Sequence, residues 1–224
     1  MSIARAIRQS AIDFYFNSLR FVPANAAWAL GALVVLFLAV SWPPAIVLVV
    51  LLAIPVAGLH RMAALLARGE ATSLSDFVEG MRRFGLAATG VATAAAILAF
   101  VLTTNMVTGI GSGEPLGWFL GATALYGDIA LAMFLVAAWP ILVDPKQESA
   151  KLRRRLQLAG LVVIGRPGPL FLVTTIVIVV LAASVVILAG IVLVGVAYVS
   201  LLATRWVLPA ADELEARYEA ARAR

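Results

Sequence analysis

The chain has 224 residues, 63% of them hydrophobic and only 13% charged, with a formal net charge of +5. Soluble domains are closer to half apolar and a quarter charged, so the composition excludes an ordinary soluble globule. The absence of cysteine excludes a disulfide framework, a Cys-based metal site and a thiol nucleophile.

The apolar residues gather in runs of about 20, the length a helix needs to cross a ~30 Å hydrocarbon core. The positive charge is almost all arginine and flanks those runs. That pattern points to membrane orientation and anionic lipid head groups rather than to nucleic acid. The expected fold is therefore an all-α polytopic membrane protein, a single membrane domain over residues 1–224.

Residues 1–23 are amphipathic. Ile3, Ile7, Ala11 and Phe14 share a helical face that Arg5, Arg8 and Gln9 avoid. Either this is a helix lying in the cytoplasmic interface, or it is a tail that packs on the bundle. Ala39-Val40-Ser41 has the small-residue character of a cleavage site, but the leader before it is too long and too aromatic for a signal peptide.

The first span is expected over 24–40, and a tight Ser41-Trp42-Pro43-Pro44 turn leads to the second over 45–59. Pro43 and Pro44 suit a helix start, and Pro55 is expected to kink the helix. The second span is short, so its helix should continue through Leu66 along the membrane surface, with Arg61 snorkelling to water. Ser75 then reads as the N-cap of a separate in-plane helix over 76–84, acidic early and ending in Arg82 and Arg83.

The third span, 85–104, is rich in Ala and Gly and is expected to be central. A Gly-rich loop over 105–116 should join it to the fourth span, 117–143. Gly113, Gly117 and Gly121 recur every four residues there, marking a close-packing face. Lys151 to Arg155 opens a second amphipathic in-plane helix. Residues 167–204 contain no charge and are too long for one crossing, so they should fold back near Ala189-Gly190. That gives spans over 170–188 and 191–207. A charged tail helix over 209–224 comes last, with Glu213 and Arg217 at i,i+4 spacing. With six spans and an internal N-terminus, all 17 basic residues fall on the cytoplasmic side, so both termini are expected in the cytoplasm.

Asp128 is the one acid deep in a span. A charge there is costly, so it should face a partner or water, with Thr123 and Thr93 as possible companions. It is either a substrate, ion or proton site or a hydrogen-bonded anchor between helices. His60, the only histidine, reads as an interfacial polar residue at a span end. No catalytic, cofactor or metal site is expected. HExxH, a Gly-Lys-Ser/Thr phosphate loop and the cytoplasmic coupling signature of ABC permeases are missing. Ile110-Gly111-Ser112-Gly113 lacks the first glycine of a membrane serine protease motif. Arg61, Arg82, Arg83, Arg153, Arg154 and Arg155 read as topology signals and lipid head-group contacts, or as a docking surface for a membrane protein partner.

The segment Pro55-Val-Ala-Gly-Leu-His-Arg-Met-Ala-Ala-Leu-Leu-Ala-Arg-Gly-Glu70, with Ser75-Asp-Phe-Val-Glu-Gly-Met-Arg-Arg-Phe84 after it, resembles the YesL-like family of bacterial integral membrane proteins. Arg83 stands where such helices often carry Asn. The resemblance implies a bacterial cell membrane location and no assigned activity, with a weak link to carbohydrate uptake systems. Two functions are therefore expected: a non-enzymatic accessory protein of solute transport, or a small stand-alone transporter or substrate-binding component with a site around Asp128.

Overall fold

The computed structural model describes residues 2–187, 190 and 194–222, and every element among them is helical. The order is α1 (Ile3–Phe16), α2 (Ser18–Ser41), a 3-10 helix (Pro43–Leu52) running into α3 (Ala53–Ala67), α4 (Leu74–Gly111) and α5 (Pro115–Val143). Then come a 3-10 turn (Pro145–Gln147), α6 (Leu152–Gly165), α7 (Pro167–Val186) and α8 (Val196–Arg222). Five stretches are long and apolar enough to cross a membrane: Ser18–Ser41, Pro43–Ala67, Leu74–Gly111, Pro115–Val143 and Pro167–Val186. Their outer faces hold bare aromatic rings. Phe37, Phe100 and Phe119 are 71%, 73% and 68% exposed, which suits lipid rather than water. Ala189 and Ile191, where the last turn and span are expected, lie outside the described residues.

Several elements run longer than the hydropathy boundaries imply. Ser73, not Ser75, caps α4: its backbone N–H donates to the Asp76 carboxylate at 2.7 Å in a capping box. No proline lies between Leu74 and Gly111, so 76–84, 85–104 and most of the expected loop form one helix of 38 residues, about 57 Å long. The separate in-plane helix is thereby corrected to the first turns of α4, and the loop shrinks to Ser112–Glu114. Gly113 makes that turn possible with φ +71°.

The second apolar stretch gains reach by winding tightly. Ten residues of 3-10 helix rise about 20 Å, where an α-helix would rise about 15 Å. Pro55 lies in the first turn of α3, where it costs little, rather than kinking its middle. At the other end of the chain α8 continues through Pro209, so the expected tail is not a separate helix. The expected Glu213–Arg217 pair is formed at 2.6 Å.

The central element is α8, not the small-residue third span. Ala197, Leu201, Leu202, Val207 and Leu208 are at most 1% exposed, and α8 touches α1, α2, α3, α5, α6 and α7. Asn25 of α2 caps its beginning by accepting from the Ala197 backbone N–H at 2.8 Å. The N-terminal helix packs on the bundle through Ala6, Ser10 and Asp13, and Arg205 of α8 pairs with Asp13 at 2.6 Å. Ala11, expected on the same apolar face as Ile3 and Ile7, is exposed. By contrast α4 shows lipid-like exposure along most of its length, with only 11% of its apolar window buried.

Candidate functional site

The ends of α3, α4 and α5 meet α6 and the later half of α8 at one end of the bundle, and the charge is concentrated there. Arg68 closes α3 as its C-cap. Its guanidinium takes Asp144 in bidentate geometry, Nε to Oδ1 at 3.0 Å and Nη2 to Oδ2 at 2.5 Å. It also reaches Asp212 of α8 through Nη1 at 2.5 Å. Lys146 donates to Asp212 at 2.8 Å, and Arg154 and Gln147 both donate to Glu215 at 3.0 Å. Hydrogen bonding to Asp144 holds the Arg68 guanidinium well above its usual range. Burial alone would raise the Asp212 carboxyl, but bonds from Arg68 and Lys146 outweigh it and hold the group below the carboxylate range.

A second cluster surrounds Phe84. The guanidinium carbons of Arg61, Arg83 and Arg155 stand 5.8, 5.6 and 5.5 Å from its ring centroid. Glu148 lies between two of them, 2.6 Å from Arg61 and 2.8 Å from Arg83. Arg61 also donates to the Val143 carbonyl at 3.1 Å. Arg155 donates to the Leu142, Glu148 and Ala150 carbonyls, capping the end of α5 and the turn after it. Burial, and then the like charge of Arg83, pushes the Arg155 guanidinium below its usual range.

These positions correct part of the expected arginine surface. Arg61 and Arg155 are 7% and 8% exposed and form internal struts, so Arg61 does not snorkel and neither is available for docking. Arg83 and Arg154 are exposed but already paired with carboxylates. Arg82 and Arg153 are exposed and have no ion pair among the described residues. They share their surfaces with bare apolar side chains: Leu74 and Val78 on α4, Leu161 and Ile164 on α6.

The chain matches no family model, no curated protein and no solved structure.

The expected intramembrane constellation is not assembled as such. Asp128 accepts from Thr103 of α4 at 3.1 Å, whereas Thr123 and Thr93 bond carbonyls of their own helices. Both threonines are exposed on their own helices, and neither is a companion to Asp128. The apolar cleft between α4 and α5 includes Leu102, Gly127 and Leu131, while Asp128 stands outside it. The geometry is that of a clamp across a hairpin. The hairpin also closes tightly, since a Cβ on Gly109 would lie 2.6 Å from the Gly117 carbonyl oxygen. His60 is not interfacial: it is 4% exposed, stacked on Trp139 and 3.4 Å from Thr204 Oγ1.

Proposed function

We propose that this is a six-span protein of a bacterial cell membrane with both termini in the cytoplasm, acting as a non-enzymatic accessory to solute transport. The orientation rests on charge. The turns at Trp42 and Ser112–Glu114 hold no Lys or Arg, and the charged end of the bundle gathers the basic side chains. The mostly apolar first half of α8, from Val196 to Leu208 with Arg205 as its one charge, supplies the inner part of the sixth crossing. Carbohydrate uptake is the transport class that the resemblance to the YesL-like family implies.

The observation that carries the accessory role is the division of labour among the arginines. Arg61, Arg68 and Arg155 stiffen the charged end from within, while Arg82 and Arg153 have no ion pair among the described residues and stand beside exposed apolar side chains. A rigid basic and apolar rim suits anionic lipid head groups and the juxtamembrane surface of a membrane protein partner.

The cysteine-free chain allows a direct test. Single variants Ser75→Cys and Ser112→Cys are labelled in intact cells with a membrane-impermeant maleimide, and then with a photo-crosslinking one. Ser112→Cys should react from outside and Ser75→Cys only after permeabilisation. The crosslinker at Ser75→Cys should trap one membrane protein in stoichiometric yield, and Arg82→Glu with Arg153→Glu should reduce that yield at least fivefold. Reversed labelling would refute the orientation, and the absence of any stoichiometric adduct would refute the accessory role.

A further inference from the structure

The cleft between α4 and α5 has a volume of about 530 Å³, and Leu156 of α6 borders it on the side of the charged end of the bundle. Its lining side chains are all Val, Ala, Leu or Phe, apart from Gly127. Ala94, Leu98 and Ala130 line it and are exposed, so it opens sideways from two helices apolar enough to cross a membrane. Hydrocarbon therefore has direct access to it, and nothing in its wall would compensate a polar molecule for lost water.

The length of the cleft restricts what can occupy it. Along α4 the lining runs from Val91 to Leu102, about 17 Å, and along α5 from Gly127 to Leu135, about 12 Å. The far end is shut by a close contact, since a Cβ on Gly127 would lie 2.8 Å from Leu102 Cδ2. The cleft is thus about one leaflet deep, half of the ~30 Å hydrocarbon core. A partner's transmembrane helix would run the whole thickness, whereas an acyl chain ends within its own leaflet.

The charge at the near end selects the head group. Three arginines open α6, and Arg154 is held by Glu215 and Arg155 by backbone carbonyls. Arg153 is exposed and has no ion pair among the described residues. It stands one turn before Leu156, on the same side of α6. We propose that this cleft binds one anionic phospholipid of the cytoplasmic leaflet, with an acyl chain between α4 and α5 and its phosphate on the Arg153 guanidinium. A zwitterionic lipid offers the same phosphate but carries its own ammonium, which weakens the attraction. The choice of leaflet rests on the orientation proposed above; the site itself depends neither on that nor on the accessory role.

Native mass spectrometry of the full chain in dodecyl maltoside tests this, with phosphatidylglycerol and phosphatidylcholine of matched acyl chains as probes. Wild type should bind one phosphatidylglycerol per chain, about fivefold more tightly than phosphatidylcholine, the factor of one basic residue at a membrane surface. Arg153→Ala should remove that preference and leave phosphatidylcholine binding unchanged. Arg8→Ala, at an exposed position on α1, should keep the preference. Ala94→Trp should fill the cleft and abolish the one-lipid adduct, and Ala130→Leu, a milder filler whose fold is easier to preserve, should reduce it. Equal binding of the two lipids by wild type would overturn the proposal. So would a preference that survives Arg153→Ala, or an adduct that both fillers leave intact. A dimer that Ala94→Trp dissociates would also overturn it, because the cleft would then belong to a second copy. Binding is read on the purified chain alone, so a negative result leaves the labelling and crosslinking outcomes above unaffected.

Discussion

Asp144→Ala is expected to destabilise the protein by about 3 kcal/mol, the lower end of what breaking a buried ion pair costs. The Asp144 side chain is 3% exposed and meets Arg68 in a two-bond fork, so the substitution leaves a guanidinium half-compensated in a dry site. Asp212 still holds Arg68, which is why the upper end of the range is not reached. A second loss adds to this, because Asp144 Oδ1 accepts from the Lys146 backbone N–H at 3.2 Å and caps the turn after α5. Asp144→Asn keeps that cap and the shape but loses the charge, and should cost about half as much. For a chain of this length 3 kcal/mol corresponds to roughly 6–12 °C in melting temperature. Thermal unfolding in detergent micelles reads it. A drop under about 2 °C for Asp144→Ala would show that the cluster is solvated and does not hold the helices together.

The same cluster makes the stability depend on pH in a defined direction. The folded Asp212 carboxyl is held below its ordinary value of 3.8, so its contribution is fully present above that value and is lost as pH falls through the folded one. Lys146 is raised above its ordinary 10.5, chiefly by its hydrogen bond to Asp212. Its contribution is present below 10.5 and is lost as pH rises through the folded value. The contributions of Asp212 and Lys146 to the melting temperature should therefore be constant between about pH 5 and 9 and be lost on the two sides. Asp212→Asn should flatten the acid limb, and an acid limb of unchanged steepness in that variant would contradict the assignment.

The membrane character and the approximate positions of the apolar stretches are legible in the sequence because hydropathy registers chain that must avoid water. Hydropathy does not register where a helix stops. Residues 76–84 look separate because Arg82 and Arg83 end the polar stretch, yet backbone hydrogen bonding runs on through them to Gly111. Pro209 looks like a terminator. It costs one backbone bond, and the burial of Leu208, Ala210 and Ala211 on either side of it outweighs that loss. The centrality of α8 is hidden because burial in a bundle depends on which helices surround a segment. Small side chains make 85–104 look like a core element, whereas much of that stretch faces outward.

The site is legible in its residue types and not in its pairings. Arg61 and Arg155 stand out as basic residues, but only the fold shows that they point inward to carbonyls at the end of α5. Arg68 and Asp144 are 76 residues apart, and no local pattern links them. One local signal does exist: Asp144 directly precedes Pro145 at the end of an apolar run, a position that suits a cap and a counter-ion. Asp128 is recognisable as an acid needing a partner, and that partner comes from the neighbouring helix, 25 positions away.

Gly58→Ala should also destabilise strongly, by about 2–3 kcal/mol, although the same change in an open helix would be mildly favourable. A Cβ on Gly58 would stand 2.6 Å from the Phe77 carbonyl oxygen and 2.6 Å from its ring. The ring could turn, but Phe77 is only 5% exposed and the carbonyl belongs to the α4 backbone, so the helices themselves must part. Gly80 meets α3 at the same crossing, where a Cβ would lie 2.9 Å from Gly58 Cα and 2.7 Å from Arg61 Cβ. Moving α4 outward would therefore also pull Arg83 away from Glu148, which Arg61 shares at 2.6 Å. Gly90→Ala is the matched control, since nothing lies within 4 Å of a Cβ there. It should leave the stability unchanged or raise it by up to about 1 kcal/mol, roughly 2–4 °C in melting temperature. Opposite signs for the two alanines would establish that the close crossing of α3 and α4, rather than glycine content in general, positions the arginine cluster. Equal small effects would mean that α4 can shift without strain and that the ion pairs alone hold it.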